Sequence, residues 1–532
     1  MKRNIISLVS ILLLTTSCGE SFLDVTPADK LSDATFWKTE KDAEEALTGC
    51  YHGWESITNI IFLDAASDNG YEQFNYLYQP IGNGQLLPTS GTGGSAPWVD
   101  GNATRWFTYD RIRKYNNFLE KIQNVTMDEA KKQRYMAEVR FLRAYDYYNK
   151  VMFYGDIPLV TEVLKNAEES TLPRTPKEEV ISFVMKELTE VASILPEENN
   201  LESGGHITKG AALALKARFE LYNGDYEAAQ KDAASVIAMK CYELYPNYEG
   251  LFYPSAKTSN KEAILEVDYV KDKYANMIPQ LNLPATEGGW SALNALWPFI
   301  ECAQMANGKF IYEDGSGYDP DHPFKNRDPR LTAIVLCPGE KYNGRIYDPL
   351  DKVINGNNND DYHVNAAASR GGLLVKKYIF PMSVDDANNY DANGIVIRLP
   401  EMYITFAECA LRTGKDKDRA LEYINKVRER AGMPDATELT DLLVKYERRM
   451  ELAFEGLRYF DIKRWDLGKT VLNGQALGCR EGSVNTATGD VTWSNSYIVL
   501  EERTFIPERN YLLPIPQGEM DTNPNMVQNP GY

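Results

Sequence analysis

Residues 208 to 240 constrain the fold more than any other stretch of this chain. Ala214, Ala217 and Leu221 recur at helical spacing, Gly224-Asp225 interrupts them, and Ala228, Ala229, Ala233, Val236 and Ile237 resume the pattern. Alanines along both facing stripes leave no side-chain bulk between two helices, so the pair must pack closely across a tight turn. The unit resembles a tetratricopeptide repeat. Residues 400–431 repeat the scheme, with Ala407 and Leu411 before Gly414 and Ala420, Ile424 and Val427 after it. The stretches 105–152 and 176–240 read as degenerate copies. Because the units are interrupted and scattered, they are expected to form a scaffold, not a continuous concave site.

The rest of the chain alternates between helical and irregular composition. Helices are expected over 32–54 (capped by Ser32), 105–123, 128–152, 176–195 and 438–466. Residues 64–104 hold seven glycines and three prolines among Tyr71, Phe74, Tyr76, Tyr78 and Trp98. Such a loop is rich in rings, unlike a disordered segment. Residues 250–399 form a second irregular region, with Glu262–Asp268 reading as a short strand. The tail from Tyr511 to Tyr532 is proline-rich and extended, and its apolar residues are expected to dock on the body. The expected architecture is therefore mainly α. A helical scaffold (about 32–63, 105–240 and 400–466) carries a large loop-rich region (about 64–104 and 250–399) with short strands, and a tail spans 505–532.

The first 17 residues read as a cleaved export signal. Lys2 and Arg3 precede an apolar run from Ile5 to Leu14 that is too short for a permanent membrane helix. Small residues then lead to Cys18, where an acylated lipoprotein would begin, although Thr15 stands where leucine is more usual. The mature chain, 18–532, is thus expected to hang from a membrane by lipid.

A net charge of −19 argues against nucleic acid and against polybasic docking to anionic lipid. Six scattered cysteines after Cys18 and four histidines give neither a zinc pattern nor a disulfide framework, though one or two bridges are open. No cofactor motif is present. Glu447, Glu451 and Glu455 lie four apart, and carboxylates grouped on one face are what acid–base hydrolysis of a glycoside uses. Arg448 and Arg458 are expected to pair with Glu451 and Glu455 and hold them ionised, so the cluster reads as a salt-bridge network. Asp314 to Asp321 has some likeness to a calcium loop but lacks the closing glutamate of an EF-hand, and reads as a polar turn.

With 33 tyrosines and 8 tryptophans, most rings belong to the core. Rings in loops beside amides and carboxylates are also what a sugar-binding surface needs: a flat ring meets the apolar face of a pyranose and polar groups meet its hydroxyls. On that ground the candidate ligand-binding residues are Asp68, Asn69, Tyr71, Tyr76 and Trp98 from the first irregular region and Trp290 and Tyr312 from the second.

Several stretches, in order, resemble the SusD/RagB outer-membrane lipoproteins of Bacteroidetes. They are Phe22-Leu23-Asp24-Val25-Thr26-Pro27, then Phe36-Trp37 with Asp42-Ala43-Glu44 and Gly49-Cys50-Tyr51. Glu138 to Tyr145, Tyr154-Gly155-Asp156-Ile157-Pro158, Asn425 to Gly432 and Glu447 to Trp465 follow. Pro514-Ile515-Pro516 and Gln528 to Tyr532 close the series. The resemblance implies surface display and a partnership with a SusC-like TonB-dependent transporter, over which the protein acts as a hinged lid. It implies capture of glycan, or in some members peptide, without cleavage. The rival readings are a peptide-capturing lid of the RagB type, a glycoside hydrolase with its acids in the loops, and an adaptor with no small ligand.

Overall fold

A computed structural model of the chain describes residues 36–74, 78–90, 105–166, 168–198, 205–350, 360–361, 363, 365–382 and 386–532. The helices start and stop where their caps allow. Helix α1 (Glu40–Tyr51) is capped by Thr39, in a reciprocal box with Asp42, and not by Ser32. Helices α2 (Asp110–Lys121), α3 (Glu129–Tyr154) and α4 (Lys177–Ile194) follow the expected spans. The alanine-rich pair becomes α5 (Lys209–Tyr222) and α6 (Tyr226–Ile237), turning at Gly224 with φ +80°. The second pair is α7 (Leu399–Thr413) and α8 (Lys417–Arg430), with left-handed Gly414 closing α7. Each helix from α2 to α6 packs on the next, and α7 joins α6 to α8. The scattered units therefore assemble into one stack.

The expected single helix over 438–466 is two helices, α9 (Asp441–Glu451) and α10 (Arg458–Arg464). Phe454 and Gly456 take positive φ between them, so Glu455 lies beyond the helix that carries Glu447 and Glu451. A Cβ on Gly456 would stand 2.9 Å from the Ile60 carbonyl oxygen, and its φ is +75°. Gly456→Ala is expected to cost about 1–3 kcal/mol from that backbone strain, read as a lower melting temperature.

Short strands tie the loop-rich region together. Strand β1 (Gly70–Glu72) pairs antiparallel with β3 (Leu293–Ala295), which meets β5 (Leu374–Val375) and then β4 (Val335–Leu336). Strand β2 (Ala263–Val267), close to its expected bounds, pairs with β6 (Gly394–Arg398) ahead of α7. A long hairpin, β7 (Gly474–Val484) and β8 (Val491–Arg503), follows α10. The tail docks as expected, through buried Leu513 and Ile515, and the Leu513 N–H donates to the Phe153 carbonyl at 2.8 Å. The six cysteines after Cys18 are free thiols, so neither open bridge forms.

The acidic trio does form an ionic network, with different partners from those expected. Arg398 donates to Glu262 at 2.8 Å, Glu451 at 2.5 Å and Glu455 at 2.7 Å. Arg330 ties Asp328, Glu447 and Glu451 together at 2.7–3.0 Å. Arg428 meets Glu447, Arg430 meets Glu262 and Glu451, and Lys377 meets Glu455. Arg448 instead reaches Asp461 on α10, and Arg458 reaches Asp68. The expected pairing fails because the chain turns after Glu451. That turn carries Arg458 off the α9 face, and arginines distant in sequence fill the space.

Candidate functional site

Residues 64–73 of the first irregular region are interior. Asp68 receives both arms of Arg458, at 2.7 and 2.9 Å, and Arg449 at 3.0 Å. Burial alone would raise its carboxyl, but the two guanidinium groups hold it well below the usual carboxylate range. Asn69 is fully buried, donating to Asp64 at 2.8 Å and accepting from Arg449 at 2.8 Å. Tyr71 sits on β1 opposite Asn294, its ring buried with Leu296 and Ala476. The polar atoms of Asp68 and Asn69 thus join β1 to α9 and α10. Asp68→Ala strands the buried Arg458 and removes one partner of the half-buried Arg449, and is expected to destabilise by about 3–5 kcal/mol, read as a lower urea midpoint.

Trp290 lies at the edge of this frame, half-buried. The Gln73 amide donates to the Trp290 carbonyl and to the Ala368 carbonyl, both at 3.1 Å. The Gln73 carbonyl accepts from Asn294 at 3.3 Å and from the Arg370 backbone N–H at 3.1 Å. The Trp290 N–H in turn donates to the Gln280 carbonyl at 3.0 Å. Each link in this web fixes backbone around the indole, so the ring is carried on rigid support.

Tyr312 belongs to a different cluster. The residue is 73% exposed, and its ring stacks on Phe310 with centroids 5.4 Å apart and planes within 4°. Phe310 is braced edge-on by Tyr446 of α9 at 5.4 Å. Among the described residues no other Phe, Tyr or Trp ring is left so far in water. A cavity of about 410 Å³ runs beside Phe310, lined also by Asn307, Lys309, Glu313 and Leu442 among others. An exposed ring on a rigid aromatic support, flanked by amide, ammonium and carboxylate, offers a flat apolar surface with hydrogen-bonding groups at its margin.

Of the candidates, β1 and the web of Gln73 connect Tyr71 with Trp290, while Tyr312 stands with Phe310. Tyr76, Trp98 and Cys18 lie outside the described residues. Sequence reasoning missed Gln73, Asn294 and Phe310. Phe310 had a signal, two residues from Tyr312 in a glycine- and asparagine-rich stretch; Gln73 and Asn294 had none, since their roles depend on strand pairing. In the stretch once likened to a calcium loop, Lys309 donates to the Asp314 carbonyl at 2.7 Å and Asp319 pairs with His322 at 2.8 Å. Among the described residues no three acidic, histidine or cysteine side chains gather as a metal site, and no helix is long and apolar enough to cross a membrane.

The chain belongs to the SusD family, whose pattern it matches over residues 252–532. Residues 21–221 match a second family, described as starch-binding associating with outer membrane. A SusD-like carbohydrate binding protein from Bacteroides fragilis is 31% identical, with a TM-score of 0.82 over 93% of this chain and 100% of that one. The SusD-like protein P25 of Formosa agariphila is 27% identical over 100% of this chain and 99% of its own. The starch-binding protein SusD of Bacteroides thetaiotaomicron is 27% identical over 80% and 77%.

Proposed function

We propose that this protein is a non-catalytic glycan-binding lipoprotein of the cell surface. Lipid on Cys18 tethers it to the outer membrane, facing outward. Exposed loop rings capture an oligo- or polysaccharide, and closure over a SusC-like TonB-dependent transporter delivers it. The observation that carries the reading is Tyr312 held open to water on Phe310. Leaving that ring exposed forgoes about 1.5–3 kcal/mol of burial, a cost that a sugar face stacked on it recovers. The carbohydrate-binding relatives support the ligand class.

Two features support capture without cleavage. A general acid needs a carboxyl that is protonated near neutral pH. Burial would raise Glu451, yet Arg430, Arg398 and Arg330 hold it far below the usual carboxylate range. Glu266, pushed up to about 7 by burial and the Asp268 charge, lines a cavity that neither Tyr312 nor Trp290 shares. Native electrophoresis through gels containing plant, host or microbial polysaccharides tests the reading. Retarded migration in at least one gel is expected. Free migration in every gel, with saturable binding to oligopeptides instead, would replace glycan capture by peptide capture.

A further inference from the structure

A cavity of about 440 Å³ opens between α1, the following turn to Trp54, Gly205-His206 and β2. Its volume lies in the range of about 300–1,000 Å³ usual for small-molecule sites. Glu266 and Asp268, two residues apart, present both carboxylates to it. One amide bridges them: Asn393 Nδ2 donates to Glu266 at 3.0 Å and to Asp268 at 2.6 Å. By contrast Glu262, Glu447, Glu451 and Glu455, also buried, meet arginine or lysine directly. Among the described residues neither carboxylate forms an ion pair with lysine or arginine, although Lys273 also lines the cavity. Lys257 donates to the Tyr269 carbonyl and His206 pairs with Glu138 at 2.6 Å. Burial raises both carboxyls by more than the nearby charges of Lys257 and His206 lower them.

The opposite wall is aromatic. Tyr274 stacks on Tyr269 with centroids 5.3 Å apart and planes within 6°, and His52 leans on Tyr274 at 5.3 Å. Gly205 has φ +65°, and a Cβ there would stand 2.1 Å from Asp268 Oδ2. The backbone is thus brought over the carboxylate by a residue that only glycine supplies without displacement.

We infer that this cavity is a second binding site, for a small ligand carrying a protonated amine, such as an amino sugar. The ammonium sits between Glu266 and Asp268, and the ligand's apolar face lies on Tyr274. Two carboxylates attract an ammonium by charge-assisted hydrogen bonds, and the ring face adds cation–π attraction. A neutral sugar of the same shape gains neither.

Calorimetry of the chain lacking its leader, titrated with glucosamine and separately with glucose, tests the inference. Saturable one-to-one binding of glucosamine is expected, with glucose at least about tenfold weaker. Glu266→Gln combined with Asp268→Asn should weaken glucosamine binding by a similar factor. Thr48→Trp, at an exposed α1 position on the cavity's rim, should block it with both carboxylates kept. Absence of saturable glucosamine binding, equal binding of the two sugars, or glucosamine binding unchanged in both variants would overturn the inference.

Discussion

Arg398→Met is expected to lower the urea midpoint of unfolding more than any substitution in the loop regions, or to prevent folding. The side chain is fully buried and its guanidinium serves Glu262, Glu451 and Glu455. Methionine fills much of the volume but leaves three buried carboxylates short of a partner. Removing one member of a buried pair costs about 3–5 kcal/mol, against a total stability of about 5–15 kcal/mol for a typical domain. Arg430 and Arg330 also hold Glu451, so part of the loss is shared. Glu262→Gln keeps a hydrogen-bonding group near Arg398 and should cost less. An unchanged midpoint in Arg398→Met would show that the network is not what ties α9 to β2 and β6.

Buried ion pairs, in this network and outside it, set the response to acid. Burial would raise the Glu408 carboxyl, but the Arg464 guanidinium more than offsets this and brings it to about 2. Glu451 and Asp68 are likewise depressed. A carboxyl whose pKa is lower folded than unfolded binds fewer protons in the native state. Its stabilising contribution is complete above the unfolded value, near 4, and is lost as pH falls toward the folded value. Melting temperature should therefore decline steeply below about pH 4. Glu266 acts in the opposite sense. Its raised folded pKa makes the native state bind more protons between about 4.5 and 7, so its contribution weakens as pH rises through that window.

Tyr312→Ala carries the second large effect, on binding. A central ring that stacks on ligand typically contributes about 2 kcal/mol or more when truncated, close to thirtyfold in Kd. The folded state should be little changed, because the residue is 73% exposed and surface substitutions usually stay within about 0.5 kcal/mol. Tyr312→Phe keeps the stacking surface and should retain most of the affinity. Phe310→Ala should weaken binding too, by removing the support under the ring. Binding by Tyr312→Ala equal to that of the parent would move the sugar site away from this platform.

Sequence reading reached the scaffold because its cause is local. The alanines of α5 and α6, and the glycines that end α7 and separate the α5–α6 pair, act within a few residues of themselves. The break between α9 and α10 escaped it because charged and apolar residues keep helical spacing through Phe454 and Gly456. What turns the chain there is packing against Ile60 and Phe299, more than a hundred residues away. The partners of Arg448 and Arg458 escaped for the same reason. The β7–β8 hairpin gives no clean alternation, since half-buried and exposed residues mix along both strands. At the candidate site, aromatic residues in irregular composition pointed to Trp290 and Tyr312. The same composition also drew in Asp68 and Asn69, whose burial depends on arginines from α9 and α10 that composition does not reveal.

The most direct test is calorimetry of residues 19–532 against the polysaccharide that retards migration, with the same samples assayed for new reducing ends. Saturable binding with the ligand recovered at its original length is the result expected of a capture protein. Shortened ligand and rising reducing ends would contradict it and make the protein a glycoside hydrolase.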